Sequence, residues 1–290
     1  MRKITKAALL AVTLISSLGY SQQNTNEFRS FIPENNMYIS EWDRGAGGIS
    51  QSQFAVILNK VNNIYSPIVA KSGLSLKVVN YWGNGRVNAS SSRSGNTLYV
   101  YMYGGLARHD AINYEAMVLA TCHEVGHHLG GYPKKTTAGL TWSTAEGGSD
   151  YFASLKCMRK YFATEDNATV LAKRSSELDP FAVSRCNQTF STKKDRLICI
   201  RSSLGAQSMA DFFASTGPGF QYKFDTPSTF KPASVIMGYP NDQCRLDTYF
   251  AGMLCPVSDT QNLSNSDLRA GACYRGQHKF GFRPSCWFAQ

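Results

Sequence analysis

The spacing of apolar residues predicts a helix and two strands in the N-terminal third of the chain. Residues 54–69 place apolar side chains three or four positions apart, which is typical of an amphipathic helix. Residues 74–81 alternate between apolar and polar side chains, and residues 97–103 form a second strand pattern rich in tyrosine. Between these strands, residues 83–95 form a polar, glycine-rich patch in which no strand or helix is predicted.

Helical spacing continues through the middle of the chain. Residues 111–129 predict a helix that ends at Gly130 and Gly131, and Pro133 prevents it from resuming. After a loop, a second helix is expected from Ser143 or Thr144 to about residue 162. Shorter helices are predicted downstream, over residues 178–190, 193–204, 209–214 and 245–253. This succession predicts an α+β fold, with a small mixed sheet and a mostly helical C-terminal part.

The first residues of the chain predict an export signal. Arg2, Lys3 and Lys6 precede a short apolar run and then small residues, so residues 1–21 have the pattern of a signal peptide. This run is too short to cross a bilayer, and no later segment is long and apolar enough. We therefore expect an exported protein, periplasmic or extracellular, without an integral membrane segment. Residues 22–290 are expected to form one catalytic domain, in which residues 22–45 are either a propiece or an N-terminal strap.

The eight cysteines fit an exported chain, in which an even number of cysteines indicates disulfides. Cys122 and Cys157 lie on the two mid-chain helices, so a bridge between them would tie those helices together. For the others, pairing between near neighbours is the economical choice among many: Cys186–Cys199, Cys244–Cys255 and Cys273–Cys286. The disulfide-rich C-terminal part would then begin near residue 180.

The formal charge of +10 favours acidic surfaces and polymers in a general way. No basic cluster is interleaved with aromatic residues, so nucleic acid is not an expected partner. We expect the chain to act as a monomer.

The most specific motif is His-Glu-Val-Gly-His, residues 123–127, within the first mid-chain helix. Histidines four residues apart lie on one helical face, so the imidazoles of His123 and His127 can bind one metal ion. Glu124 lies beside them and can act as a general base on a water molecule. Zinc in a catalytic site also needs a third protein ligand and one open position.

Two positions downstream are candidates for the third ligand. The metzincin class would place a histidine at position 133, but proline stands there and cannot bind a metal. The other candidate is Glu146, at the start of the second predicted helix. Asp150 lies one turn further along that helix and can accept a hydrogen bond from a ligand histidine.

Together, the two motifs resemble those of the gluzincin metallopeptidases. The resemblance implies a zincin-like fold with one zinc ion per chain. It further implies that His123, His127 and Glu146 bind the zinc, that Glu124 is the base and that Asp150 orients a histidine. It also implies that the strand over residues 97–103 is the edge of a cleft that pairs with an extended substrate.

Over residues 111–252 the chain also resembles the family of HtpX and the CAAX prenyl endopeptidases. The forms His-Glu-Val-Gly-His-His and Glu-Gly-Gly-Ser-Asp-Tyr-Phe-Ala are similar to that family's motifs. Its later His-Pro-x-x-x-x-Arg element corresponds here to Tyr239, Pro240 and Arg245, with tyrosine in place of histidine. Tyr239 and Arg245 are therefore candidates to stabilise an oxyanion, and Arg245 has the alternative role of anchoring a carboxylate.

The expected function is that of a secreted zinc metalloendopeptidase, which hydrolyses a polypeptide substrate through a metal-activated water. Two alternatives stay open at this point. One is a zinc-dependent hydrolase of cell-wall peptides or other amides, which the positive charge mildly favours. The other is a non-catalytic binding protein with a metallopeptidase-like fold, against which the intact Glu124 argues.

Overall fold

The protein has a mixed α+β fold in which helices pack around one small sheet. Its structure, a computed structural model, describes residues 29–43, 48–137, 139–217 and 219–289. The signal peptide predicted over residues 1–21 lies outside the described residues, as does the stretch 22–28. Among the described residues, no helix combines the length and the apolar character needed to cross a membrane.

The sheet has four strands, in the order β1, β3, β4, β2. Their bounds are β1 (Arg29–Ser30), β2 (Ser75–Tyr81), β3 (Ala89–Ser94) and β4 (Thr97–Tyr103). Strand β4 pairs in parallel with β2 and antiparallel with β3. Strand β1 pairs antiparallel with the outer edge of β3.

This order corrects two predictions from the sequence. Strand β4 was expected at the edge of a cleft, but it is an interior strand because both of its edges are paired. On one side of β4 the sheet continues with β3, which lies in the polar, glycine-rich stretch where no strand was predicted and which pairs in turn with β1. The β3 sequence, Ala-Ser-Ser-Ser-Arg-Ser, lacks the apolar alternation that indicates a strand. Its serines Ser90, Ser91 and Ser92 are nevertheless buried by the neighbouring elements.

The predicted helices are present, and the structure defines the residues at which each begins and ends. Helix α1 (Gln51–Ala70) begins in a capping box formed by Ser50 and Gln53. A short helix α2 (Gly104–Arg108) follows β4, and α3 (Tyr114–Leu129) begins where the Asn113 side chain accepts a hydrogen bond from the amide of Ala116.

The second mid-chain helix is continuous but changes its winding. Helix α4 (Glu146–Phe152) passes through a π-helical turn (Ala153–Cys157) into α5 (Met158–Phe162). Thr144 does not cap this helix, since its hydroxyl donates to the Gly131 carbonyl instead. The remaining helices are α6 (Asn167–Lys173), α7 (Pro180–Thr189), α8 (Lys193–Thr216) and α9 (Asp242–Met253). Helix α8 joins the two pieces predicted over residues 193–204 and 209–214.

All eight cysteines are paired. The disulfides are Cys122–Cys157, Cys186–Cys199, Cys244–Cys286 and Cys255–Cys273. The first two pairs confirm the prediction, whereas the predicted Cys244–Cys255 and Cys273–Cys286 pairs are wrong. Cys244 lies in the first turn of α9 and Cys255 lies beyond its end, which separates them by about 16 Å along the helix axis. A disulfide cannot bridge that distance.

Helix α3 runs through the centre of the molecule, and every residue from 115 to 127 is buried. It crosses α4 at Gly126, where a Cβ atom would lie 2.9 Å from both the Cα and the carbonyl oxygen of Ser149. The two helices can therefore approach this closely only because residue 126 has no side chain.

Gly126→Ala should consequently destabilise the fold. Alanine is the better helix former, but its methyl group would push the α4 backbone away, so we expect a loss of about 1–3 kcal/mol in the free energy of unfolding. Urea unfolding followed by circular dichroism measures this loss. Gly83→Ala is the matched control, because the nearest atom to its Cβ would be 3.8 Å away. Equal stability of both variants and the wild type would contradict the close crossing.

Candidate metal centre

The three predicted ligands meet in the structure. His123 and His127 lie one turn apart on α3, and their ring centroids are 4.8 Å apart. Glu146, the first residue of α4, points its Oε2 between them. This oxygen is 3.3 Å from His123 Nε2 and 3.6 Å from His127 Nε2. All three side chains are completely buried.

The atoms that face one another at this point lack hydrogen-bond partners within the described chain. They are His123 Nε2, His127 Nε2, Glu146 Oε2 and both carboxylate oxygens of Glu124. Leaving one buried polar atom unpaired costs about 1–3 kcal/mol, so such a cluster requires a further partner. Ligand atoms of His123, Glu124 and His127 all lie within 4.8 Å of one another, close enough to hold one metal ion.

Two candidate carboxylates adjoin the imidazoles, Glu124 and Glu146. The Glu146 oxygen lies 3.3 Å from one imidazole nitrogen and 3.6 Å from the other, and it comes from a different helix. Glu124 adjoins His123 in sequence, on the side facing Ser91 of β3. Two imidazole nitrogens and one carboxylate oxygen suit a zinc ion that keeps an open position.

The outer nitrogens of both histidines are fixed by hydrogen bonds. His123 Nδ1 lies 2.6 Å from Asp150 Oδ1, as predicted for the orienting carboxylate. His127 Nδ1 donates to the Thr144 carbonyl oxygen at 3.0 Å, and the Ser149 hydroxyl lies at 3.0 Å from the same nitrogen. These contacts turn the Nε2 atom of each ring toward the centre.

Arg245 holds Asp150 in place. Its Nε and one terminal nitrogen each donate to the Asp150 carboxylate at 2.9 Å, and the other terminal nitrogen donates to the Phe31 carbonyl at 2.9 Å. Burial would raise the pKa of Asp150, but the charge of Arg245 holds that pKa below its ordinary value. Of the two roles open to Arg245, the contacts show the carboxylate anchor.

Tyr239 lies near Glu146 and Glu124. Its hydroxyl donates to the Ser30 carbonyl oxygen at 2.6 Å. Burial, with Glu146 nearby, raises the pKa of Tyr239, so the hydroxyl keeps its proton and acts as a donor.

Arg29 is a residue at the centre that the sequence did not indicate. From β1, its guanidinium donates to Glu146 Oε1, whereas Oε2 is the oxygen near the two histidines. Arg29 belongs to no motif, and only the pairing of β1 with β3 brings it there. His128, by contrast, lies outside the centre: its Nε2 lies 3.1 Å from the Tyr99 carbonyl oxygen, and its ring stacks on Trp142.

The protonation states follow from burial and from the close charges. Burial lowers the pKa of His127 to about 3, which keeps that imidazole neutral. Burial alone would lower the pKa of His123 too, but Asp150 and Glu146 outweigh it and raise the pKa to about 9. Burial, with the Glu146 charge, raises the pKa of Glu124 to about 8. Before a metal binds, both His123 and Glu124 thus hold a proton at neutral pH.

Comparison of the chain with known protein families, with curated proteins and with solved structures found no match. The case for the centre therefore stands on the geometry of its own residues.

Asp150→Asn should weaken metal binding. The amide cannot hold the His123 ring as the carboxylate does, and loss of such an outer contact typically costs about 10–100-fold in affinity. Competition with a chromogenic chelator measures the zinc dissociation constant. Asp247→Asn is the control, because Asp247 bonds to Ser228 and Gln243 instead. Unchanged zinc affinity in Asp150→Asn would contradict the orienting role.

Zinc binding should release protons at neutral pH. The metal must displace the proton that His123 holds with a pKa of about 9, so affinity should fall about tenfold for each pH unit below that value. Calorimetry at pH 7, in buffers of different ionisation enthalpy, should count at least one released proton. If the zinc affinity did not change between pH 6 and pH 8, zinc binding would not displace a proton from His123, which would contradict this prediction.

Proposed function

We propose that the protein is a zinc-dependent metalloendopeptidase of the gluzincin type, with a zincin-like fold. One observation carries the proposal: unpaired nitrogen and oxygen atoms of His123, His127 and Glu146 converge at a completely buried point. Beside them, both oxygens of Glu124 are also unpaired. Three ligand side chains with an adjacent free carboxylate are what metal-assisted hydrolysis requires.

His123, His127 and Glu146 would hold the zinc, which when bound supplies a polarised carbonyl and a water of lowered pKa. Glu124 takes the proton of the attacking water and delivers it to the leaving amine. In the metal-free centre burial raises the pKa of Glu124 to about 8, and the charge of a bound zinc ion would lower that pKa, which would leave the carboxylate free to accept a proton at neutral pH. No other carboxylate of the described residues stands beside the three ligands with both oxygens unpaired.

Tyr239 is the donor for the carbonyl oxygen of the scissile bond. Its hydroxyl already binds a peptide carbonyl oxygen beside the centre, that of Ser30. A hydroxyl that stays protonated can stabilise negative charge as that charge develops on such an oxygen. Arg245 acts more indirectly, as a positioning residue, because its guanidinium is engaged by Asp150 and the Phe31 carbonyl.

The outer edge of β3 is the place for an extended polypeptide substrate. Ser91 of β3 faces Glu124, so a peptide paired with this strand would pass beside the base. Main-chain pairing along a sheet edge binds a peptide largely independently of its sequence, which suits an endopeptidase. We therefore assign the pairing with substrate to β3, and no longer to the strand over residues 97–103.

The setting of the proposed enzyme is extracellular or periplasmic. Four disulfides are typical of exported proteins, and we propose that the chain acts there as a monomer on polypeptides, with wall peptides included among them. The alternative of a non-catalytic binding protein has less support, because it gives no reason to bury an unpaired Glu124 beside the ligands.

Glu124→Gln should abolish hydrolysis and leave zinc in place. The amide has nearly the same shape but cannot accept a proton from water, so we expect kcat to fall about 10²–10⁴-fold. Zinc content by mass spectrometry and cleavage of a fluorogenic peptide library measure the two properties. Glu177→Gln, on the protein surface, is the control. Equal cleavage by Glu124→Gln and the wild type would refute the assigned base.

A further inference from the structure

Strand β1 already occupies the outer edge of β3, where the proposed substrate would pair. Arg29 lies opposite Ser91 and Ser30 opposite Ser90, in antiparallel register. The Phe31 amide continues the ladder by donating to the Ala89 carbonyl at 2.9 Å. This edge is therefore taken by the protein's own chain.

The side chains of this segment reach the metal centre on both sides of Ser30. Successive strand residues point to opposite faces, so Arg29 and Phe31 project to the same side. The Arg29 guanidinium binds Glu146, and the Phe31 ring packs edge-on against His123, with centroids 5.0 Å apart. Both peptide bonds of Ser30, including the Ser30–Phe31 bond, thus lie between contacts with two proposed ligands.

The main chain of the segment is held as a bound peptide would be. The Ser30 carbonyl accepts from Tyr239, the proposed donor to the scissile carbonyl, at 2.6 Å. The Phe31 carbonyl accepts from Arg245 at 2.9 Å. The Asn88 side chain then pairs with Ile32: its oxygen accepts from the amide at 3.2 Å and its nitrogen donates to the carbonyl at 3.1 Å. These groups recognise backbone rather than a particular sequence.

The site that holds the Phe31 side chain indicates which residue the groove prefers. Phe31 is completely buried, between His123 on one side and Phe213 and Arg245 on another. A site of this size and aromatic character favours a bulky apolar side chain on the residue that follows the carbonyl bound by Tyr239.

We propose that residues 29–32 occupy the substrate groove in place of a substrate, with the Ser30–Phe31 bond where the scissile bond would lie. The protein described here is then a closed form, and a substrate must displace this segment. The groove prefers a polypeptide with a large aromatic residue immediately after the scissile bond. This proposal rests on the proposed peptidase function and adds its regulation and its preferred substrate.

The segment is tethered on its C-terminal side. Beyond it, Met37 accepts from the Val87 amide at 3.2 Å, and the Ile39 amide donates to Gly85 at 2.8 Å. A tethered segment competes at an effective concentration on the order of millimolar, so it excludes weak substrates and yields to good ones. It binds Glu146 through Oε1 and leaves Oε2 facing the histidines, so a metal ion and the segment fit together.

A reversible cross-link tests the proposal. Ser30 and Ser90 are a directly opposed pair, next to the hydrogen bond from Phe31 to Ala89, in the close position that suits a disulfide. Ser30→Cys/Ser90→Cys, loaded with zinc, is assayed oxidised and after mild reduction. The two readouts are hydrolysis of a peptide containing phenylalanine and the rate of zinc transfer to a chromogenic chelator.

With the cross-link in place, both rates should fall at least about tenfold, and reduction should restore them. The matched control is Ser75→Cys/Thr97→Cys, which bridges β2 and β4 at another opposed pair of the same sheet. Its rates should be the same oxidised and reduced, which controls for effects of the reductant on the native disulfides.

Equal rates for the oxidised and reduced forms of Ser30→Cys/Ser90→Cys would overturn the proposal. So would failure of this pair to cross-link under conditions in which the control pair does. If zinc binds but neither form hydrolyses any peptide, the peptidase function fails, and the zinc-transfer rates still decide whether the segment closes the centre. Absence of zinc from every form would overturn both proposals together.

A variant without a cross-link gives the converse result. Arg29→Ala removes the contact with Glu146 and loosens the segment, so peptide hydrolysis should rise several-fold, with phenylalanine preferred over glycine after the cleaved bond. A fall in hydrolysis, accompanied by weaker zinc binding, would mean that Arg29 instead supports the ligand Glu146, and would overturn the proposal.

Discussion

The close crossing of helices α3 and α4 is the constraint on which the metal centre depends. Two ligand atoms come from α3 and one from α4, and they lie 3.3 Å and 3.6 Å apart across the crossing. Gly126 lets the backbones approach, and the Cys122–Cys157 disulfide ties α3 to the π-helical continuation of α4. The hydrogen bond between His123 and Asp150 spans the same two helices. If the two helices moved apart by a further ångström, the imidazoles and Glu146 could no longer bind the same ion.

The side chains at this crossing are oriented by residues from more distant parts of the chain. Arg245 on α9 connects the Asp150 carboxylate with the Phe31 carbonyl, so the N-terminal segment, α4 and α3 are joined through one guanidinium. The same N-terminal segment places Arg29 on Glu146. The proposed metal ligands and the proposed substrate groove therefore share contacts with residues 29–31.

The sequence predicts the parts of the centre that depend on local geometry. The spacing of His123 and His127 follows from the helical period, and Glu146 and Asp150 follow from the same period on the next helix. Strand β3 could not be recognised, because its serines are buried by pairing with β4 and β1 rather than by their own hydrophobicity. Arg29 was missed for the same reason: only tertiary pairing brings it to Glu146. The prediction of the C-terminal disulfides was wrong because it paired cysteines that are close in sequence and did not consider that α9 separates Cys244 from Cys255.

The most direct test of the centre is diffraction from crystals grown with zinc and measured at the zinc absorption edge. Our account predicts one anomalous peak at about 2.0–2.2 Å from the Nε2 atoms of His123 and His127 and from a carboxylate oxygen of Glu146. Glu124 should stand beside this peak without binding it. A peak bound by Glu124 in place of Glu146, or no peak between the three residues, would contradict the account.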